Sequence, residues 1–193
     1  MLVRHELFPT LVAQWPALYN PNECKELHHK ILNDEQGRTH PTIKGSGVSS
    51  DDKVRNIISE FKLIDRIDPC IQWYLRQMSW NPAIGVTVKH SWYNIQENGS
   101  TLANHNHPNA LLSGVLFVNV DASSSPFCVV NPAPLASFVF GKCATTAYNL
   151  EFDKFKPKVG DLFIFPSYLK HGSNGIVNET DKRSIISFNV EEV

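Results

Sequence analysis

Two histidines two residues apart, His105 and His107 in the stretch His-Asn-His-Pro, are the first residues of this chain whose type and spacing suggest chemistry. On an extended backbone successive side chains alternate, so both imidazoles project from one face and can share a metal ion. Pro108 lacks the N–H that a sheet ladder needs and is expected to end that segment. A buried strand then returns from Ser113. A His-x-His pair also arises by chance in exposed loops, and this stretch alone does not separate the two readings. His171 offers a third ligand, 64 residues after His107. In a jelly-roll that separation lets a late strand come back beside the early hairpin and complete three ligands on one side of a metal.

Twelve residues after His171, Arg183 opens the run Arg-Ser-Ile-Ile-Ser-Phe-Asn-Val. Alternation puts Arg183, Ser187 and Asn189 on one face. A guanidinium there would be mostly buried and would need an anion. Its fork matches a carboxylate, either that of a bound small molecule or that of a protein acid such as Glu151 or Asp153.

The elements that would position these residues change character at Gly85. Before it, Leu7 to Trp15 reads as a short strand. Asn20-Pro21-Asn22-Glu23 carries the signature of a helix start, with an N-cap Asn, Pro at the first helical position and Glu at the third. That helix is expected to run to about Asn33 with Cys24, Leu27 and Ile31 on its apolar face, leaving His28 and His29 on the polar side. Arg38 to Asp52 is polar and lacks a packing periodicity, which predicts a mobile loop over a site. His5 and His40 lie in such segments and are not expected to act. Val54, Ile57, Ile58, Phe61 and Ile64 recur at helical spacing, and Asp68-Pro69 starts a further helix bearing Ile71, Tyr74, Leu75 and Met78.

After Gly85 the pattern is that of strands: Val86–Ile95, Thr101–His107, Ser113–Val120, Phe127–Asn131, Thr145–Leu150, Asp161–Phe165, His171–Ile176 and Arg183–Val190. His90 shares the parity of Trp92 and Asn94 and reads as a core histidine. The architecture expected is mainly β, a jelly-roll or cupin-like barrel over about 85–191 braced by helices over about 20–80, in one domain spanning 1–193.

Composition bounds the function. The 193 residues are 42% hydrophobic and 19% charged, an ordinary globular balance. A net charge of −1 with dispersed Lys and Arg argues against a nucleic-acid partner. No apolar run is long enough to cross a membrane or to form a leader, so a cytoplasmic location is expected. Cys24, Cys70, Cys128 and Cys143 form no Cys-x-x-Cys pair and read as reduced core residues. Assembly into a homo-oligomer stays open.

Taken together, His-x-His, Leu-Ser-Gly-Val-Leu-Phe-Val, Val-Gly-Asp-Leu-Phe-Ile-Phe-Pro-Ser-Tyr-Leu-Lys-His and Arg-Ser-Ile-Ile-Ser-Phe-Asn-Val resemble the iron(II)- and 2-oxoglutarate-dependent oxygenases, in particular the branch near the prolyl-hydroxylase type. The resemblance covers about Trp92 to Val190, with a weaker match at Leu7-Phe8-Pro9. It implies a double-stranded β-helix, Fe(II) held by His105, His107 and His171, and 2-oxoglutarate whose distal carboxylate meets Arg183 with help from Ser187. It further implies that O2 and 2-oxoglutarate are consumed to give succinate and CO2 while a substrate C–H bond is hydroxylated. The substrate is either a protein side chain or a small metabolite.

Two positions depart from the family pattern. His107 stands where the middle ligand is usually Asp or Glu, and Phe117 where related prolyl hydroxylases often carry a Tyr that hydrogen-bonds 2-oxoglutarate. Asn94 or Ser113 would have to supply the missing donor. The competing readings are a three-histidine metal dioxygenase or cupin-like enzyme that does not use 2-oxoglutarate, and a non-catalytic jelly-roll binding module.

Overall fold

The computed structural model describes residues 9–50, 54–133, 146 and 149–193. The expectations for Leu7, Phe8, His5, Asp51, Asp52 and Cys143, and half of the strand expected over 145–150, fall outside these residues.

A polar-capped helix follows the first short strand, Ala13–Trp15. Helix α1 (Pro21–Leu32) begins with the full capping box: the Asn20 side chain accepts from the Asn22 and Glu23 amides, and Glu23 accepts from the Asn20 amide. A single helical turn, α2 (Ile57–Glu60), and then α3 (Ile64–Gln77) follow. Helix α3 starts four residues before the expected Asp68 and carries Pro69 inside it. The apolar spacing of Ile67, Cys70, Ile71, Tyr74 and Leu75, all buried, outweighs the one hydrogen bond that the proline removes.

Eleven strands build the rest of the described chain. They are β1 (Ala13–Trp15), β2 (Ile43–Lys44), β3 (Gly47–Ser49), β4 (Val86–Gln96), β5 (Thr101–Leu102), β6 (Leu112–Asn119), β7 (Phe127–Val130), β8 (Phe152–Phe155), β9 (Leu162–Pro166), β10 (His171–Gly172) and β11 (Arg183–Glu192). The large sheet has the order β1-β9-β6-β11-β4-β3, and its neighbouring strands are all antiparallel. Opposite it lie β10-β7-β8 and the pair β2-β5. The last two groups meet where the Ser173 amide donates to the Leu102 carbonyl at 2.8 Å. Gly172 permits that approach: a Cβ there would sit 2.8 Å from the Leu102 oxygen and 2.9 Å from that of Ala103.

Strand β11 runs down the middle of the large sheet, and its alternation divides the core. Ile186, Phe188 and Val190 face the helices, in one cluster with Leu27 and Ile31 of α1 and Ile67, Ile71 and Tyr74 of α3. Ile185, on the other parity, joins Val115, Phe117, Phe127, Phe163 and Phe165 between the sheets. Phe188 lies over Gly114, where an added Cβ would come within 2.1 Å of the ring.

Several expected boundaries move. Arg38–Asp52 is not a structureless loop: it supplies β2 and β3, and Arg38 bridges Ser49 with both backbone bonds at 2.7 Å. Two or three residues suffice for strands that borrow their order from β4 and β5. The strand expected over Thr101–His107 stops at Leu102, and that over His171–Ile176 stops at Gly172. Thr146, Asn149 and Leu150 are not in a strand, whereas the unforeseen β8 pairs with β7. Cys24, Cys70 and Cys128 are buried free thiols.

Candidate metal centre

His105 and His107 sit beyond the end of β5, and their placement comes from cross-chain backbone bonds. The His105 amide donates to the His171 carbonyl at 3.0 Å and the His171 amide returns a bond to His105 at 2.9 Å. The His107 amide donates to Ser167 at 2.9 Å. Both sides of the centre are therefore tied to one short ladder, and a regular strand is not needed to bring the side chains together.

The ligand nitrogens of His105, His107 and His171 all lie within 4.8 Å of one another. Three atoms so spaced share a point no more than about 2.8 Å from each, so metal bonds of about 2.0–2.2 Å need inward movement of well under an ångström. In His105 and His171, Nδ1 lies 2.9 Å from a carbonyl two residues back, Ala103 and Leu169 respectively. Donation of Nδ1–H to these carbonyls leaves each Nε2 lone pair for a metal. Burial, with the mutual repulsion of the rings, holds the imidazoles neutral: His107 falls to about 4 and His171 to about 3, and His105 is lowered as well. Neutral imidazole is the form that binds metal. Among the described residues no carboxylate joins the cluster.

The centre lies in a cavity of ≈ 630 Å³, counting its open mouth, between the two sheets. Arg183 lies deeper in this cavity and is 3% exposed. Its Nη1 donates to Gln96 Oε1, its guanidinium stands 5.5 Å from the centre of the Phe117 ring, and its Nε has no partner. Neither Glu151 nor Asp153 pairs with it. Burial without a counter-charge pushes Arg183 down to about 10. Asn94 Oδ1, Gln96 Nε2 and Ser125 Oγ are also buried without partners. An incomplete polar set of this kind, with one cation and no anion, fits a bound carboxylate that completes it.

The other expected residues divide. Ser187 and Asn94 line the cavity. Ser113 also lines it, but its hydroxyl is engaged at 2.8 Å with Ser167 Oγ and at 2.9 Å with Asn189 Oδ1, which leaves it a poor spare donor. The indole of Trp92, 5.4 Å from the His107 ring, makes no hydrogen bond among the described residues. Gln96 has the parity of Trp92 and Asn94, a signal in the sequence, yet only the pairing Arg183↔Gln96 shows what it does. His40, expected to be idle, lines the cavity with Thr42, to whose hydroxyl its Nδ1 is held at 2.7 Å. His28 is not idle either: its Nδ1 lies 2.8 Å from Ser184 Oγ and ties α1 to β11.

A metal-type triad in the mouth of a two-sheet barrel, with a buried arginine further in, defines the architectural class. Comparison with known proteins gives the family. The family model described as "Putative 2OG-Fe(II) oxygenase" matches residues 90–189, more than half of the chain. The chain belongs to this family of 2-oxoglutarate (2OG)–Fe(II) oxygenases.

Among solved structures, HygX from Streptomyces hygroscopicus with nickel and 2-oxoglutarate bound is 12% identical, with a TM-score of 0.64 over 94% of this chain and 83% of that one. A prolyl-4-hydroxylase from Pseudomonas putida is 12% identical, with a TM-score of 0.61 over 94% and 93%. The collagen prolyl hydroxylase of Paramecium Bursaria Chlorella virus-1, in its 2-oxoglutarate complex, is 13% identical, with a TM-score of 0.62 over 94% and 96%. These likenesses give the fold, a double-stranded β-helix. No curated protein matches the chain. Among the described residues no helix is long and apolar enough to cross a membrane.

Proposed function

We propose that the chain is an iron(II)- and 2-oxoglutarate-dependent dioxygenase acting as one domain, with His105, His107 and His171 holding the metal and Arg183 the distal carboxylate of 2-oxoglutarate. The observation that carries this reading is Arg183: a guanidinium in the same cavity as the triad, with an unpaired Nε and, among the described residues, no acid beside it. Bound iron would supply the coupling of O2 reduction and 2-oxoglutarate decarboxylation to oxidation of a substrate C–H bond. The protein's part is to position and exclude water. Ala103 and Leu169 fix the ligand tautomers, Ser187 offers a donor to the cosubstrate, and Phe117, Phe163 and Phe165 keep the inner wall dry. HygX has been solved with hygromycin B and two of the similar proteins are prolyl hydroxylases, so a small molecule and a protein side chain are both substrate classes within reach of this fold.

Calorimetric titration of 2-oxoglutarate into anaerobic, iron-loaded protein tests the reading. Removing one partner of a buried charge pair costs about 2–5 kcal/mol, so Arg183→Ala should weaken binding at least about 30-fold while iron content is unchanged. Absence of saturable binding to the unmutated chain, or equal binding to both, refutes it. The three neutral ligands favour one second reading, a three-histidine metal dioxygenase without 2-oxoglutarate, which that negative result would select.

A further inference from the structure

His107 and Trp92 form a wall shared by two cavities. One holds Arg183; the other is an open groove further along β11, reached by the side chains of Asn189 and Glu191 and flanked by His90, Asn106 and Asn109. Along the inward face of β11 the order is Arg183, Ser187 opposite Trp92, Asn189, Glu191. The groove thus meets the metal centre from the side away from the arginine.

Its hydrogen-bonding groups are largely uncommitted. Among the described residues the Asn109 amide has no partner, Asn189 uses only its oxygen, towards Ser113, and the Trp92 N–H is free. Glu191 has Lys89 at 3.8 Å and His90 at 3.9 Å, both beyond hydrogen-bond reach. Such an exposed pair contributes little and yields readily to a better cation. The backbone around the groove offers only a short edge, Glu191–Glu192, to an added peptide strand. Strand β11 is covered by β6 as far as Val190, and the outer edge of β4 is taken by Asn56, whose side chain donates to the Val88 carbonyl at 2.7 Å. The groove therefore offers side-chain contacts with at most a short ladder, and its chemistry suits a compact polar molecule.

We infer that this groove holds the primary substrate and selects a small polyhydroxylated molecule bearing an ammonium group, with Glu191 taking the ammonium and the Asn109, Asn189 and Trp92 donors taking hydroxyls. The inference rests on the proposed oxygenase reading, since it is the metal centre that makes the groove a reaction site.

The test uses the full chain loaded with zinc as a redox-inert metal, with 2-oxoglutarate titrated first. Glucosamine, glucose and glucuronate are then added at mildly acidic pH, and the Trp92 indole N–H signal, assigned with Trp92→Phe, is followed. Glucosamine should shift the signal and bind more tightly than glucose by up to about fivefold, the scale of one solvent-accessible ion pair. Glucuronate should not bind, and Glu191→Gln should bring glucosamine down to the affinity of glucose. Equal binding of glucosamine and glucose, tighter binding of glucuronate, no shift with any sugar, or a shift produced instead by N-acetylprolinamide overturns the inference. Should 2-oxoglutarate itself fail to bind, both readings fall; should it bind while the amine preference is absent, the groove assignment alone falls.

Discussion

A side chain kept for a ligand is a burden on the empty protein, and Arg183 allows the burden to be measured. Burial lowers its pKa to about 10, which corresponds to about 3 kcal/mol against the charged form. Replacing it by Met alone would strand the Gln96 oxygen that accepts its hydrogen bond, a loss of about 1–3 kcal/mol. Arg183→Met should therefore melt close to the unmutated protein. Changing both partners, Arg183→Met with Gln96→Leu, also removes the unpaired Gln96 Nε2 and Arg183 Nε. Less about 0.5–1 kcal/mol for the lost contact of the cation with Phe117, the double variant should gain about 2 kcal/mol, or about 4–8 °C for a chain of this size. Thermal unfolding of metal-loaded protein with and without 2-oxoglutarate reads the effect. At a hundredfold excess over its dissociation constant the ligand should stabilise the unmutated chain by about 2.7 kcal/mol and the double variant, with binding at least about 30-fold weaker, by no more than about 0.9 kcal/mol. A double variant that melts below the unmutated protein without ligand would show that Arg183 is a structural anchor, and the argument from its missing partner would fail.

Exchange of the middle ligand, His107→Asp, should preserve metal binding because an anionic oxygen replaces a neutral nitrogen on the same wall. His105→Ala and His171→Ala should abolish it. Metal analysis of folded variants decides, and loss in His107→Asp would make three imidazoles a requirement. Metal-free stability should be full above about pH 6.5 and decline as the pH falls towards 4, because the unfolded chain takes up protons that the buried His107 and His171 refuse. The slope is at most about 2.7 kcal/mol per pH unit for two protons, and less to the extent that His107 is partly exposed. Denaturant unfolding between pH 7 and 5 that shows no slope refutes this. Gly172→Ala should push β10 off the Leu102 and Ala103 carbonyls and cost both stability and metal affinity, measurable by melting and by metal titration.

Sequence patterns carried the helix at Pro21, the long strands β4, β6, β9 and β11, and the face shared by Arg183 and Ser187, because each rests on many residues of one periodicity. What they could not carry was pairing. Strands β2 and β3 contain too few apolar residues to register and exist because β5 and β4 complete their hydrogen bonds. Strand β8, Phe-Asp-Lys-Phe, is half charged and holds its place through β7. The same limit hid the partner of Arg183, since Gln96 becomes its neighbour only through the register of β11 on β4. It also hid His28, whose partner lies on β11, and His40, which only the fold brings to the cavity. The histidine pair itself was placed on one face for a reason that proved local: the alternation argument assumed a strand, whereas the bonds from His105 to His171 and from His107 to Ser167 do the positioning.

Register is also what keeps the two faces of β11 apart. Arg183, Ser187, Asn189 and Glu191 face the cavities while Ser184 meets His28 and Ile186, Phe188 and Val190 enter the helix-side core. A slip of one residue would bury Ser187 and Asn189 under α1 and α3 and put Ile186 and Phe188 against the metal ligands. The helices thus act on the chemistry at one remove. By taking the aliphatic parity of the central strand, they compel the polar parity inward, where a lone buried cation and three neutral imidazoles are unfavourable until a metal and an anion complete them.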